Sequence, residues 1–298
     1  MNPGMHAGLR HLVITRFNLR RDEGAHPHQL RADWLDHRFA LFERFCLPSL
    51  QAQTTQAFEW LVLFDDETPA PARRRIARYA EWPNFRPVFM PRSARSRCRS
   101  AAVDALAQRP QILVTTRLDS DDAVRPDFIA RVQRAAAVPA ERAEVLAFPV
   151  GYVWHRERSY LDWQPSNAFS SLVEPVRGRA DYPIRTIYSG SHSAQEQLGR
   201  VVTLSRRPAW LQVVHGSNIE NARRGMRWPT SALPGWMTRL AGVPPAYASA
   251  PLGLALPGLA ASLPADAVLL VAVGGDGRLP DAGELRVEQG GDHRQRRL

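Results

Sequence analysis

The chain has 298 residues, 44% of them hydrophobic and 23% charged, which is typical of a folded protein and unlike a disordered or fibrous one. Its formal net charge of +10 comes from arginine alone, since the sequence contains no lysine. These arginines accompany no zinc-finger, recognition-helix or RNA-binding motif, so we expect no nucleic-acid partner. Two cysteines are too few for a disulfide framework, which favours a reducing compartment.

The first 140 residues alternate predicted strands with predicted helices. Residues 11–17 form a short apolar, β-branched run that predicts a buried strand, and 32–53 carry apolar residues at helical spacing, with a break or an end near Pro48. Further strands are predicted at 58–64, 85–89 and 111–116, and further helices at 71–79, 100–107 and 126–137. This order predicts an α/β fold with a mostly parallel sheet and helices on both faces.

Polar clusters follow three of these strands, at Thr15–Asn18, Asp65–Glu67 and Asp119–Asp122. Ligands of parallel α/β sheets bind beyond the carboxyl ends of the strands. The three clusters are therefore predicted to meet in one cleft.

The alternation weakens in the second half of the chain. Strands are predicted at 145–154, 201–204 and 210–215, and the polar segment 163–193 is predicted to be a long substrate-binding loop. After about residue 227 the composition shifts to Ala, Leu, Gly and Pro. We therefore expect one domain over 1–230 and a Pro/Ala/Gly-rich C-terminal extension over 231–298, partly irregular or disordered.

The acidic run Asp119-Ser-Asp-Asp122 is the strongest chemical signal. Carboxylates crowded at the end of a strand repel one another unless a cation neutralises them. Mg²⁺ and Mn²⁺ favour oxygen ligands and commonly bridge protein carboxylates to the phosphates of a nucleotide. An acidic turn that caps the next helix is the alternative, because a bare Asp-x-Asp is common by chance.

The order of three segments resembles a known group of enzymes. The stretches 47–54 (LPSLQAQT), 58–68 (FEWLVLFDDET) and 118–123 (LDSDDA) resemble the successive signatures of family-2-type glycosyltransferases with the Rossmann-like GT-A fold. More narrowly, HLVITRFNLR, TTRLDSDDA and WLQVVHGSN resemble a bacterial family of rhamnosyltransferases whose members are mostly assigned by sequence. The likeness covers roughly residues 10–225.

The resemblance implies a metal-dependent, inverting hexosyltransferase. It would move a sugar such as rhamnose from a nucleoside-diphosphate donor to a hydroxyl of a glycan, lipid or other acceptor, with Mn²⁺ or Mg²⁺ as the cofactor. A cytoplasmic location is expected, because the N-terminal residues lack a signal peptide and no stretch has about 20 uninterrupted apolar residues. The charge-free but proline-broken segment 240–265 is the candidate for peripheral contact with the inner face of the membrane.

The resemblance also assigns roles to individual residues. It places Asp119 and Asp121 in the metal-and-diphosphate motif, with Asp121 favoured as the direct ligand, and Asp122 would orient the motif. His215 matches the late histidine that completes the metal site in many GT-A enzymes, although a lone histidine is more often structural. The other candidates for nucleotide-sugar binding are Thr15 and Arg16, Asp65 or Asp66 for the base or ribose, Arg117, and Arg99, which would either face the diphosphate or be a solvated surface arginine.

An inverting transfer needs a base that deprotonates the acceptor hydroxyl. Glu174 is the favoured candidate, because its loop-like, apolar surroundings at 169–175 would raise the pKa of the carboxyl group. Family-2 enzymes often carry the base in a Glu-Asp pair on a helix, and this sequence lacks such a pair. Four aromatic residues of the second half of the chain could form a platform for the acceptor sugar or belong to the core: Tyr152, Trp154, Trp163 and Tyr188.

Two other functions compete with this hypothesis. A catalytically inactive nucleotide-sugar or carbohydrate-binding protein of the same fold would not need the charges of Asp119, Asp121 and His215 together. A nucleotidyltransferase would carry a Gly-rich phosphate loop after the first strand, and residues 17–21 have no glycine.

Overall fold

The computed structural model describes residues 8–20, 28–91, 97–106, 108–138, 141–191, 194–215, 224–241, 268–270 and 286–288. The chain divides into two compact units, residues 1–248 and 249–298. Twelve strands are described in the first unit: β1 (Leu9–Arg16), β2 (Glu59–Asp65), β3 (Phe85–Met90), β4 (Ile112–Arg117), β5 (Ala123–Val124), β6 (Glu144–Ala147), β7 (Val150–His155), β8 (Arg158–Trp163), β9 (Ser171–Glu174), β10 (Arg200–Thr203), β11 (Trp210–Val214) and β12 (Met226–Trp228). In the second unit, β13 (Val268–Leu270) pairs antiparallel with β14 (Arg286–Glu288).

Six α-helical segments are described in the first unit: α1 (Ala32–Leu41), α2 (Leu47–Gln51), α3 (Ala70–Tyr79), α4 (Arg97–Ala105), α5 (Phe128–Ala136) and α6 (Gly235–Ala241). Residues Phe42–Cys46 form a π-helical turn that joins α1 to α2 without a break. Pro48 lies in the first turn of α2, where a missing backbone N–H is tolerated. The helix predicted over 32–53 is therefore confirmed, and Pro48 does not end it.

The central sheet has seven strands in the order β10-β6-β9-β4-β1-β2-β3. Strands β4, β1, β2 and β3 are parallel neighbours, β6 and β10 pair parallel with each other, and β9 runs antiparallel between β4 and β6. The predicted mostly parallel sheet is confirmed.

Alternate residues of the central strands pack on opposite faces, as the strand period requires. Val13 and Val62 belong to one apolar cluster with residues of α1, α3 and α5, and Leu12 and Leu61 belong to another with Ala101 of α4. Helices therefore cover both faces, as predicted from the order of the elements.

A second sheet of five strands has the order β12-β8-β7-β11-β5. The strand predicted over 145–154 is wrong in its extent, because the chain leaves the first sheet after Ala147 and starts β7 in the second at Val150. Pro149 lies between them and supplies only a carbonyl, which accepts from Gln164 N. The short β5 pairs antiparallel with Trp210 and Leu211, the first residues of β11. The acidic run that precedes β5 therefore lies along the later part of β11, where Val213 contacts Asp122.

The prediction of one long loop over 163–193 is wrong in part, because β9 lies inside it. Helix α6 packs Met237 and Ala241 against Tyr152 and Trp154 of the second sheet, so residues 235–241 belong to the packed part of the first unit. Residues 242–265 of the charge-free segment lie outside the described residues. Within the described part of the chain, no helix has both the length and the apolar character needed to cross a membrane.

Candidate active site

The carboxyl ends of β4, β1 and β2 lie side by side, because these strands are parallel and adjacent. The register places Arg117 beside Ile14 and Arg16 beside Leu63. The three predicted polar clusters therefore follow neighbouring strand ends, and the acidic run lies next to the end of β1.

Asp121 is the centre of the charged cluster at this edge. Its Oδ2 lies 2.8 Å from Nε2 of His215 and 2.8 Å from Nη1 of Arg38, and the residue is 5% exposed. Asp121 and His215 are 94 positions apart in the sequence and meet because β5 pairs with β11, the strand that ends just before His215. The structure thus brings together two of the three residues that the sequence predicted as metal ligands, while the third, Asp119, pairs with Arg117.

Arg38 reaches the cluster from α1 and was not predicted from the sequence. Its side chain is largely buried, and its guanidinium lies 5.2 Å from the ring centroid of Trp34, a cation–π distance. His37, the preceding residue, places Nε2 3.4 Å from Nδ1 of His215. Burial, together with His215 and Arg38, lowers the pKa of His37 and favours its neutral form. The helical spacing of apolar residues predicted α1 itself. It could not show that Arg38 and His37 would meet residues that are distant in the sequence.

Asp122 supports the acidic run from inside the protein. It is fully buried, and its Oδ1 accepts a hydrogen bond of 2.8 Å from the backbone N–H of Val213 in β11. Its Oδ2 has no hydrogen-bond partner among the described residues. Burial, and then the charges of Asp121 and Asp119, raise the pKa of Asp122 well above its ordinary value. Burial thus disfavours the charged form of this carboxyl group.

Asp119 forms a two-point ion pair with Arg117, with Nη2–Oδ2 and Nε–Oδ1 distances of 2.9 and 3.3 Å. Burial alone would raise the pKa of Asp119, but Arg117, Arg16 and Arg38 outweigh it and hold that pKa below its ordinary value. The guanidiniums of Arg16 and Arg117 lie 4.8 and 5.3 Å from the ring centroid of Tyr188. Asp119 is therefore an ionised carboxylate surrounded by arginines.

Tyr188 reaches this edge of the sheet from the segment between β9 and β10, and its hydroxyl donates to the carbonyl of Ile14. Thr15, by contrast, does not line a pocket with its side chain. It is completely buried, and its hydroxyl accepts a hydrogen bond from Trp60 Nε1 at 2.9 Å. The prediction that Thr15 binds the nucleotide-sugar is therefore corrected. Arg16, the last residue of β1, lies at the end of the strand as expected.

Asp65 and Asp66 have different roles in the structure. Asp65 is fully buried and accepts hydrogen bonds of 2.7 and 2.8 Å from Nε and Nη2 of Arg20. Its Oδ1 also accepts from the backbone N–H of Glu67. The side chain of Asp66 is 44% exposed, so Asp66 is the more accessible acid of this pair.

Arg99 is exposed on α4 and donates from Nε to the carbonyl of Ile184 at 2.6 Å. This hydrogen bond ties the side chain of Arg99 to the segment between β9 and β10.

Glu174 is not in a loop, and the assignment of Glu174 as catalytic base is corrected. It ends β9, pairs in register with Leu113, and is 1% exposed. Leu113 lies four residues before the end of β4, roughly 13 Å along the strand. Burial raises the pKa of Glu174, but its carboxylate already binds Arg185 through Nε and the backbone N–H. A carboxyl group there does not reach an acceptor bound beyond Arg117.

The side chains around Asp121 fit a divalent cation whose remaining ligands come from a bound substrate. Among the described residues no three His, Cys, Asp or Glu side chains come together as a complete metal site. Asp121 and His215 supply one oxygen and one nitrogen donor, and Oδ2 of the next residue, Asp122, is a buried oxygen without a hydrogen-bond partner among the described residues. One or two protein ligands are usual where the phosphates of a substrate complete the shell.

Comparison with known proteins finds a matching family model and solved structures of low sequence identity. A family model described as "Putative rhamnosyl transferase" matches residues 14–227. Among solved structures, S. aureus TarS 1–349 is 14% identical, with a TM-score of 0.39 over 68% of this chain and 60% of that one. The mannosyltransferase PcManGT from Pyrobaculum calidifontis, in complex with GDP-Man and Mn²⁺, is 15% identical, with a TM-score of 0.40 over 70% of this chain and 58% of that one. A comparison with curated proteins found no match.

Proposed function

Because the chain belongs to the "Putative rhamnosyl transferase" family, whose model matches more than half of it, we propose that it transfers a sugar from a nucleoside-diphosphate donor to an acceptor hydroxyl. Rhamnose is the sugar that the family name suggests, and a glycan or glycolipid is the proposed acceptor. Among the solved structures, one of TarS contains UDP, and that of PcManGT contains GDP-Man.

One observation carries the proposal, namely the contact between Asp121 Oδ2 and His215 Nε2 at 2.8 Å. A carboxylate beside an imidazole, at the carboxyl end of a parallel sheet, suits a metal ion that also binds phosphate. Since Mg²⁺ strongly prefers oxygen and the imidazole adds nitrogen, the pair favours Mn²⁺ over Mg²⁺. When bound, the ion would neutralise the negative charge that develops on the leaving diphosphate.

The remaining side chains have roles that follow from their positions. Asp122 holds the acidic run against β11 through Val213, and Asp119 is oriented by its two contacts with Arg117. Asp66 is exposed beside the end of β2 and is proposed to bind the base or ribose of the donor. These groups bind and orient the donor, so most of the proposed rate enhancement comes from positioning and charge stabilisation.

A donor-hydrolysis and transfer assay tests this function. Purified protein is incubated with a panel of nucleoside-diphosphate sugars, rhamnose donors included, in MnCl₂ or in EDTA. We expect slow hydrolysis in Mn²⁺, and a loss of about 100-fold or more in Asp121→Asn and in EDTA, since both remove the charge at the leaving group. Asp181→Asn is the matched control, because Asp181 is exposed and pairs only with the nearby Arg179 among the described residues.

The outcomes separate the proposal from its rivals. Equal turnover in wild type, Asp121→Asn and EDTA would exclude the proposed mechanism. If the protein binds a donor but turns over no donor of the panel in Mn²⁺, the result would support the alternative, a catalytically inactive nucleotide-sugar-binding protein. Thermal unfolding of each variant shows whether a loss of activity comes from a loss of structure.

A further inference from the structure

We propose that Arg16, Arg38 and Arg117 bind the diphosphate of the donor in the absence of a metal ion, so that the chain captures its donor with arginines. This set is called the arginine anchor. The inference deepens the proposed function and rests on it for the identity of the ligand. It goes beyond that function by assigning diphosphate capture to the protein's own cations.

The carboxylates at the site pair with two of the three guanidiniums of the arginine anchor. Arg38 lies 2.8 Å from Asp121, and Arg117 lies 2.9 Å from Asp119. These two ion pairs leave an excess of positive charge at the third guanidinium, that of Arg16, which lies against the ring of Tyr188. Arg16 is only partly exposed, so water screens its charge less than it would at an open surface.

Arg16 is the clearest source of this excess. Within the described residues no carboxylate oxygen lies within 4 Å of its guanidinium, whereas Arg117 binds Asp119 at 2.9 Å. Both guanidiniums lie against the ring of Tyr188, at 4.8 and 5.3 Å from its centroid. Two like charges on one ring repel each other, and an anion between or beside them removes that repulsion. Diphosphate oxygens match the fork of N–H donors that a guanidinium presents.

Arg38 adds a third cation to the arginine anchor. Its Nη1 and Nε2 of His215 both approach the same oxygen of Asp121 at 2.8 Å. A guanidinium carries five N–H donors, so Arg38 can donate to a diphosphate while it stays paired with Asp121. Arg38 is therefore placed to contribute to diphosphate binding without a metal ion.

Binding of inorganic pyrophosphate in EDTA, measured by calorimetry, tests the inference without any turnover. We expect wild type to bind pyrophosphate in EDTA, more weakly as salt concentration rises. Arg16→Gln and Arg38→Gln should each weaken this binding by about tenfold or more, the usual effect of losing a hydrogen bond to a charged group. Arg38→Lys should retain part of the affinity, because it keeps the charge without the fork.

The matched control is Arg86→Gln, an arginine that pairs with Glu59 at the first residue of β2 and so lies at the opposite end of the strands. It should bind pyrophosphate as wild type does. Arg16→Gln keeps the test decisive if Arg38→Gln fails to fold, because Arg16 makes no ion pair within the described residues whose loss would destabilise the fold.

Two results would overturn the inference: no detectable binding of pyrophosphate by wild type in EDTA, or equal affinity in wild type, Arg16→Gln and Arg38→Gln. Its failure is distinct from that of the proposed function. Sugar transfer in Mn²⁺ without metal-free binding of pyrophosphate would refute the arginine anchor alone. Metal-free binding that the variants weaken, without transfer from any donor, would support the anchor and refute the proposed transfer.

Discussion

Acidification should destabilise the protein through one buried histidine of the central sheet. His11 in β1 is 1% exposed, and its Nε2 lies 2.7 Å from Thr116 Oγ1, which in turn lies 2.6 Å from Ser171 Oγ. Its Nδ1 has no hydrogen-bond partner among the described residues, so an added proton there would be buried and unpaired. Burial accordingly lowers the pKa of His11 from 6.5 to about 3.

The sign and size of the effect follow from the difference between the folded and unfolded pKa values. Below pH 6.5 the unfolded chain takes up a proton at His11 while the folded chain does not, so stability falls with pH until the folded pKa is reached near 3. One pKa unit corresponds to about 1.4 kcal/mol, which gives a loss of about 2 kcal/mol at pH 5 from this residue. The full shift corresponds to about 5 kcal/mol, an order-of-magnitude value.

Urea unfolding at pH 7.5 and pH 5.0 measures this contribution in wild type and in His11→Leu, which keeps an apolar side chain in the core and leaves Thr116 bonded to Ser171. We expect wild type to lose about 2 kcal/mol more than the variant between the two pH values. Val13→Ala, a truncation in the same strand, should lower the free energy of unfolding equally at both. An equal loss with pH in wild type and His11→Leu would refute the reasoning.

Further predictions concern the π-helical turn and the acids after β2. Phe42→Ala should lower the free energy of unfolding by about 3–5 kcal/mol in urea, because the ring is fully buried and stacks on Trp60 at 5.3 Å. Asp65→Asn should cost about 3 kcal/mol or more, since it removes the charge of the fully buried carboxylate to which Arg20 donates through Nε and Nη2. Asp66→Asn should leave stability within about 0.5 kcal/mol and weaken nucleoside-diphosphate binding in a thermal-shift assay.

The contrast between Asp65 and Asp66 shows what the pattern of residues could not resolve. Adjacent residues at the end of a strand point in opposite directions, so one acid of the pair turns inward and the other outward. The sequence placed both at the correct edge of the sheet. Only the packing of Arg20 against Asp65 decided which of them remains available to a ligand.

Local patterns of residues were sufficient to predict the order of the elements and the edge of the sheet that carries the candidate site. Apolar, β-branched runs ending in acids identify buried parallel strands, and such strands present their carboxyl ends together, because each crossover returns the chain in the same direction. The positions of Arg16, Asp119 and Asp121 at this edge follow from that local information.

Tertiary structure alone decided which side chains meet. The contact of Asp121 with His215 spans 94 positions and depends on the pairing of β5 with β11, and that with Arg38 depends on how α1 packs on the sheet. Glu174 lies on the one antiparallel strand among the seven described in the central sheet, which moves it toward the opposite end. Registers and packing directions arise from contacts summed over the whole core, and no local pattern contains them.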